Sequence, residues 1–252
     1  MFAKHLKPKS LAAYLLALVT IGTAHAANVN ETLNVKSLHV VELFTSQGCN
    51  SCPPADALLG QVAQHPDVLA LAYHVQYWDG LGWRDRFGLP EAEQRQYGYA
   101  AALHLSSAFT PQMIVNGEHS LVGSKQQQLT ALLHSSSTID HAATVALDLN
   151  HGHLNITVTQ PQSQLLDVLL VTYLTHADTA IPRGENTGKT LNEFNIVRSL
   201  NWLGRSNSKH QQFIVKLTSL PDDATHAAVL LQQPSQGAIL AAASVKFERH
   251  KP

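Results

Sequence analysis

The chain has 252 residues, with 17 basic and 18 acidic side chains and a formal net charge of −1. The basic residues are scattered along the chain, which argues against the basic patch of a nucleic-acid-binding protein, and we expect no nucleic-acid partner. The length provides ample material for a hydrophobic core, in one large domain or two small ones.

Residues 1–26 have the pattern of a secretory signal peptide. Three lysines precede an apolar stretch at 11–21, and Ala24-His25-Ala26 fits a small-x-small cleavage site. A membrane helix needs about 20 apolar residues, so this stretch is short, and we expect no stable membrane anchor after cleavage. An uncleaved anchor is the alternative. The pattern predicts a periplasmic or secreted protein.

Residues 27–36 are polar without apolar periodicity, which predicts a flexible lead-in. The Val and Leu content of 38–44 predicts a strand, and the apolar stripe of 52–65 predicts a helix with prolines in its first turn. Residues 68–77 are nearly all apolar or aromatic, as in a central parallel strand. Together these segments predict a βαβ unit.

The two cysteines of the chain, Cys49 and Cys52, lie between the first strand and the first helix. A helix N-terminus supplies unpaired N–H groups and a positive dipole end, which stabilise a thiolate. The pair can therefore react with each other, with a metal or with an external thiol. A static disulfide is the alternative. Because Cys52 is only the third residue after Cys49, such a disulfide closes a very small loop and adds little stability.

A loop rich in aromatic residues, 78–87, follows the βαβ unit. Its two tryptophans, Trp78 and Trp83, either cap the side chains below or form an apolar platform for a partner protein. After the loop, the pattern predicts a helix at 90–105, a strand at 113–116 with a short partner strand at 121–122, and a helix at 125–134. The serine-rich stretch 135–138 predicts a linker.

From residue 144 the apolar period changes to two. This alternation predicts a hairpin that turns at His151-Gly152, and further strands are predicted at 166–175, 213–217, 227–232 and 239–247. The charged segment 183–198 is predicted to be a solvated loop. Short strands with few helices are typical of an all-β sandwich-like domain, which we place at 142–250.

The chain resembles a family of bacterial secreted proteins called domain of unknown function 1223. The resemblance rests on four segments: VELFTSQGCNSCPPAD (41–56), HVQYWD (74–79), TPQMIVNG (110–117) and RGENTGKTL (183–191). That family is assigned to the thioredoxin-like superfamily. The resemblance implies an α/β thioredoxin-like domain at 37–138, followed by the sandwich-like domain.

The resemblance also implies roles for individual residues. Cys49 matches the exposed nucleophile of the superfamily's redox motif, and Cys52 matches the buried resolving cysteine. Thr110-Pro111 resembles the segment whose proline is cis and faces the cysteine pair, leaving the preceding backbone free for a substrate. An ordinary trans turn is the alternative.

Glu42 resembles the buried acid that helps the resolving cysteine exchange its proton. It precedes Cys49 by seven residues, whereas the superfamily usually has six. The alternative is an exposed residue at the end of the sheet.

We therefore expect thiol-disulfide exchange with protein or small-molecule thiols and disulfides, without a cofactor. The residues expected to act are Cys49, Cys52, Pro111 and Glu42, with Thr110, Trp78 and Trp83 contacting the substrate. One alternative is a Cu(I)-delivery module, in which His74 completes a site with the two thiolates, although a hydrogen-bonded core histidine is the plainer interpretation of His74. Another is a non-catalytic binding protein with a structural disulfide.

Overall fold

The computed structural model describes residues 1–2, 38–135 and 143–248. Three predictions therefore lie outside the described residues, almost in full: the signal peptide (1–26), the lead-in (27–36) and the serine-rich linker (135–138). Among the residues that are described, no helix is long and apolar enough to cross a membrane.

The predicted βαβ unit is confirmed. Strand β1 (His39–Thr45), helix α1 (Pro53–Val62) and strand β2 (Val68–His74) follow in order, and β1 pairs with β2 in parallel from His39↔Val68 to Thr45↔His74. Two prolines occupy the first turn of α1, where the missing N–H groups have no intrahelical partner to lose.

The other elements of the first half also lie close to their predicted positions. They are helix α2 (Pro90–Ala102), strands β3 (Gln112–Val115) and β4 (His119–Val122), and helix α3 (Gln126–Ser135). Strand β3 pairs antiparallel with both β1 and β4.

The second half of the chain is built from strands. Its strands are β5 (Thr144–Asn150), β6 (His153–Thr159), β7 (Leu166–Ala180), β8 (Thr190–Ser206), β9 (His210–Lys216), β10 (His226–Gln232) and β11 (Ile239–Lys246). The hairpin predicted at His151-Gly152 is confirmed as β5–β6. Strand β8 begins at Thr190, so the loop predicted at 183–198 was wrong for residues 190–198, whereas residues 183–189 do form a loop.

The strands form two sheets among the described residues. One has eight strands in the order β11-β10-β7-β8-β2-β1-β3-β4, and the other has three in the order β5-β6-β9. The larger sheet is mixed, because β1–β2 and β2–β8 pair in parallel and its other pairs are antiparallel.

This topology corrects the predicted fold class. We expected an α/β thioredoxin-like domain followed by an all-β sandwich-like domain, but the molecule is mostly β, with one mixed sheet that runs through both halves of the sequence. The physical reason is β8, which pairs along most of β7 and meets β2 at Ile196↔Ala72. The described residues from 38 onward all lie within one compact unit, Thr32–Pro252.

The hydrophobic core covers both faces of the larger sheet. On one face, Val41 and Leu43 of β1 pack with Leu59 of α1 and Leu129 of α3. On the opposite face, Val40 and Phe44 of β1 belong to a cluster with residues of α2, β10 and β11, namely Ala92, Tyr99, Ala228, Leu230 and Ala242. The alternation along β1 therefore assigns each of its side chains to the α1 face or to the α2 face.

Candidate functional site

The cysteine motif forms a tight turn between β1 and α1. Cys49 N donates to Ser46 O at 3.1 Å, and Cys52 N donates to Cys49 O at 3.2 Å. Cys52 is the N-cap residue of α1. The two cysteines form a disulfide with a Cα–Cα distance of 5.4 Å. The predicted placement of a cysteine pair at a helix N-terminus is confirmed.

The disulfide is buried, and the expectation of an exposed Cys49 was wrong. Both Cys49 and Cys52 have 0% of their surface exposed. Residues 181–189, which connect β7 to β8 and which we call the strap, contact the motif directly. Asn186 Nδ2 donates to Gln47 O at 2.9 Å and to Cys49 O at 3.0 Å, and Asn50 N donates to Glu185 Oε2 at 3.2 Å. These contacts contribute to the burial of Cys49.

The strap is itself held in place. Lys189 Nζ donates to Asn186 Oδ1 at 2.9 Å and to Asn50 Oδ1 at 3.4 Å, and Asn186 is fully buried. The strap therefore binds the motif through side chains that belong to a distant part of the sequence.

Thr110 and Pro111 lie at the same end of the sheet as the cysteine motif. The Thr110–Pro111 peptide bond is cis. Pro111 Cβ and Ala55 Cβ of α1 both lie within 3.1 Å of the position that a Cβ on Gly123 would take. The predicted segment therefore approaches the first turn of α1.

Trp78 lies beside the cysteine motif and Thr110. Its Nε1 donates to Thr110 Oγ1 at 2.8 Å, and its Cβ lies 3.0 Å from the position of a Cβ on Gly48. Trp83 lies close by in the same loop, and its Nε1 donates to Gln47 Oε1 at 2.9 Å. Both tryptophans are half-buried. The structure thus brings Cys49, Cys52, Thr110, Pro111, Trp78 and Trp83 together.

Glu42 lies elsewhere. It alternates with Val41 and Leu43 and shares the α2 face of β1, away from the α1 face. Arg95 Nε donates to Glu42 Oε1 at 2.7 Å, and Tyr99 OH donates to Glu42 Oε2. The carboxylate is fully buried in this pairing, so it is not the exposed residue of the alternative interpretation, and it does not face Cys52.

A buried polar cluster lies next to the cysteine motif. The sequence analysis did not predict it. His74 Nδ1 lies 2.7 Å from Asp85 Oδ2, and His74 Nε2 lies 3.9 Å from Glu193 Oε1. Thr45 Oγ1 donates to Asp56 Oδ1 at 2.8 Å. His74 is thus a hydrogen-bonded core histidine, as its plainer interpretation predicted.

Gln47 links this cluster to the cysteines. Its backbone N donates to Asp85 Oδ2 at 2.8 Å, and its Nε2 donates to Glu193 Oε1 at 2.9 Å. Gln47 lies two residues before Cys49, so the backbone of the motif is anchored on buried carboxylates.

The cluster changes the pKa values of its members. Burial raises the pKa of Asp56 to about 7, although His74 and the hydrogen bond from Thr45 oppose this change. Burial alone lowers the pKa of His74, but the neighbouring carboxylates, Asp85 first, raise it to about 9. Burial also raises the pKa of Glu193. Asp56 is therefore a carboxyl group that can gain and lose a proton near neutral pH.

Asp85 behaves in the opposite way. Burial raises its pKa, but His74 and backbone N–H groups of Gln47 and Phe87 outweigh burial, and the net pKa is below the ordinary value. Asp85 therefore stays ionised and holds His74 as an imidazolium. Across residues 1–2, 38–135 and 143–248, no group of three or more His, Cys, Asp or Glu side chains is arranged to hold a metal ion.

Comparisons with known proteins add the following. The chain resembles the crystal structure of protein AGR_C_4864 from Agrobacterium tumefaciens, with 28% identity and a TM-score of 0.71, over 85% of this chain and 99% of that one. HBP35 of Porphyromonas gingivalis shares the fold, with 15% identity and a TM-score of 0.58, over 86% of this chain and 77% of that one. No curated protein matches the chain.

The family comparison covers most of the site. The sequence profile described as "Protein of unknown function (DUF1223)" matches residues 40–232, which include the cysteine motif, Thr110-Pro111 and the strap. The chain therefore belongs to the DUF1223 family.

Proposed function

We propose that this protein is an exported thiol-disulfide exchange protein that acts through the Cys49–Cys52 couple. The observation that carries the proposal is the disulfide at the N-terminus of α1, beside the Thr110–Pro111 segment. A thiolate at this position interacts favourably with unpaired backbone N–H groups and with the helix dipole. Ser51 Oγ lies 3.5 Å from Cys49 Sγ and can donate a further hydrogen bond.

The exchange proceeds in two steps. In the reducing direction, the Cys49 thiolate attacks a substrate disulfide, a mixed disulfide forms, and one substrate sulfur leaves as a thiolate. Cys52 then attacks Cys49 Sγ, restores the protein disulfide and releases the second substrate sulfur. The reverse sequence oxidises a substrate dithiol and reduces the protein.

Both cysteines are buried, so a substrate reaches them only when the structure around the motif opens. The strap, which is hydrogen-bonded to the backbone of the motif, is the segment proposed to move. The substrates proposed are protein or small-molecule disulfides. Half-buried Trp78 and Trp83 border the motif, and they provide an apolar surface for a protein substrate once the strap has moved.

The experiment is an insulin-reduction and dithiol-oxidation assay of the chain without its predicted signal peptide. The native chain is expected to be active, and Cys49→Ala is expected to be inactive because the attacking sulfur is absent. Ser163→Ala, which truncates an exposed hydroxyl between β6 and β7, is the matched control and is expected to retain activity. A Cys49→Ala variant as active as the native chain in these assays contradicts the proposal.

The burial of both cysteines favours a second candidate, a binding protein whose disulfide is only structural. This candidate predicts a disulfide that resists mild reductants and a Cys49→Ala variant that still binds its partner. The exchange proposal predicts instead that the folded protein is reduced by dithiothreitol and reoxidised reversibly.

A further inference from the structure

We propose that Asp56 takes up and returns the proton of Cys52 during thiol-disulfide exchange, and that the groove between α1 and β8 connects Asp56 to solvent. This inference rests on the proposed function. It assigns to Asp56 the role that the sequence resemblance assigned to Glu42, at a different place in the fold.

The helix places Asp56 beside Cys52. Asp56 is the fourth residue after Cys52, and its backbone N donates to Cys52 O at 3.1 Å in the first turn of α1. Residues four apart on a helix lie on one face, one turn above each other. Asp56 is therefore the first carboxyl group along the helix that shares a face with the resolving cysteine.

Asp56 belongs to a buried cluster and also lines an open groove. Thr45 Oγ1 of β1 donates to Asp56 Oδ1 at 2.8 Å. Asp56 also lines a groove of about 570 Å³ together with Pro53, Gln61, His176, Asn192 and Phe194. Asp56 is only 9% exposed, so it is shielded from bulk solvent while remaining connected to it through the groove.

The other buried acids near the motif are committed to different partners. Asp85 is paired with His74, and Glu193 accepts hydrogen bonds from Gln47 and Thr179. Glu42 is bound by Arg95 on the opposite face of β1. Of these four buried carboxyl groups, Asp56 alone belongs to the helix that Cys52 begins.

The charges that face Asp56 adjust its proton affinity. Burial raises the pKa of Asp56 to about 7, Glu193 from β8 and Asp85 from the aromatic loop add to this, and His74 from β2 and the Thr45 hydroxyl oppose it. His176 of β7 lines the groove on the solvent side. A group that titrates near the working pH is an efficient proton donor and acceptor.

Proton transfer from Cys52 to Asp56 precedes the closing of the protein disulfide. After Cys49 has formed a mixed disulfide, the Asp56 carboxylate accepts the proton of the Cys52 thiol, and the resulting thiolate attacks Cys49 Sγ. The bond between Cys49 and the substrate breaks, the substrate sulfur leaves as a thiolate, and Asp56 releases its proton to water in the groove. In the oxidising direction, Asp56 donates a proton to Cys52 as the protein disulfide opens.

The test uses the reduced native chain and 5,5′-dithiobis(2-nitrobenzoate), followed by stopped-flow absorbance. Attack by Cys49 releases the first nitrothiobenzoate, and attack by Cys52 on the mixed disulfide releases the second. We expect the second phase of the native chain to accelerate with an inflection near pH 7, the pKa of Asp56. In Asp56→Asn, which can still accept the Thr45 hydrogen bond, we expect the second phase to slow by about 100-fold at neutral pH and to lose this inflection.

Two further variants keep the result interpretable. Thr45→Val removes the hydrogen bond that lowers the pKa of Asp56, so the inflection should move to higher pH while Asp56 remains in place. Glu118→Gln neutralises an exposed carboxylate in the β3–β4 turn, and both phases should match the native chain.

The two possible failures are distinguishable. If the native chain shows both phases and Asp56→Asn keeps the rate of the second phase within about twofold, with the inflection unchanged, the role of Asp56 is overturned and the exchange proposal stands. If the reduced native chain shows no first phase, thiol exchange itself is overturned, and the role of Asp56 falls with it.

Discussion

Glu42 and Asp56 are both buried carboxyl groups close to the cysteine motif in sequence, and their partners give them different chemistry. Glu42 forms an ion pair with the guanidinium of Arg95, which also donates to Tyr99 OH at 2.8 Å and to Gln232 Oε1 at 3.1 Å. The Asp56 carboxyl group accepts a hydrogen bond from the Thr45 hydroxyl, and it lies within a cluster that holds more carboxylates than cations. Glu42 is therefore one partner of a buried ion pair, whereas Asp56 can change its protonation state.

The Glu42–Arg95 pair leads to a prediction about stability. Glu42→Gln leaves the Arg95 guanidinium buried without its counter-charge, and breaking a buried pair in this way costs about 3–5 kcal/mol. Urea denaturation should show this loss, while the pH dependence of the second phase of thiol exchange should stay native. A loss below about 1 kcal/mol, the range of an exposed pair, contradicts the structural role assigned to Glu42.

His74 leads to a prediction about pH. Its pKa is about 9 in the folded protein and about 6.5 when unfolded, so its proton stabilises the fold fully below pH 6.5, and this contribution is lost as pH rises through 9. The free energy of unfolding should therefore fall across this window. In His74→Gln the fall should be smaller over the same window. Equal slopes in the two proteins contradict the assignment of a buried imidazolium.

The elements of the βαβ unit were predictable from the sequence, whereas strand β8 was not. Prolines at the start of α1 and apolar runs in β1 and β2 made the βαβ unit predictable. Strand β8 was not predictable in the same way. Its buried positions follow no regular alternation, and polar residues such as Asn192, Glu193 and Asn201 interrupt its apolar positions. Glu193 is buried because it pairs with Gln47 and Thr179, contacts that depend on tertiary structure.

The candidate site was predictable to the same extent. The cysteine motif, Thr110-Pro111 and both tryptophans carry local signals, and the structure brings them together. The partners Asp85, Asn186 and Glu193 come from segments distant in sequence, and nothing local predicted that their side chains contact the cysteine motif. Asp56 carried a usable signal, because it lies four residues after Cys52 on the predicted helix.

The strap leads to a prediction about access to the disulfide. Asn186→Ala removes two hydrogen bonds to the backbone of the motif, each worth about 0.5–1.5 kcal/mol. Reduction of the disulfide by dithiothreitol should therefore become about tenfold faster, because the strap separates more often. Asn201→Ala, at an exposed position farther along β8, is the control and should be reduced at the native rate. An unchanged rate in Asn186→Ala shows that the strap does not limit access.

At the scale of the whole molecule, β8 and the core beside it join the two halves of the sequence. Tyr73 and Tyr99 of the first half share a hydrophobic cluster with Ala228, Leu230 and Ala242 of the second. The smaller sheet packs on strands of the larger one through a second cluster that includes Val145, Ile156, Val168, Val229 and Ala243. The cysteine motif is likewise contacted by both halves, through Trp83 from the first and Asn186 from the second.

This arrangement leads to a prediction about unfolding. Because the halves share a sheet and a core, the described part of the chain should unfold in a single transition, with equal calorimetric and van't Hoff enthalpies. Two separated transitions, or a calorimetric enthalpy well above the van't Hoff value, contradict the shared core.

The reduction potential of the buried Cys49–Cys52 bond decides whether this bond is a working redox couple. The folded chain is equilibrated in glutathione buffers, and free thiols are trapped by alkylation. We expect a reversible potential between about −120 and −270 mV, the range of oxidoreductases that exchange disulfides. A potential below about −300 mV, or a disulfide that reductant does not open, contradicts thiol-disulfide exchange and identifies the disulfide as structural.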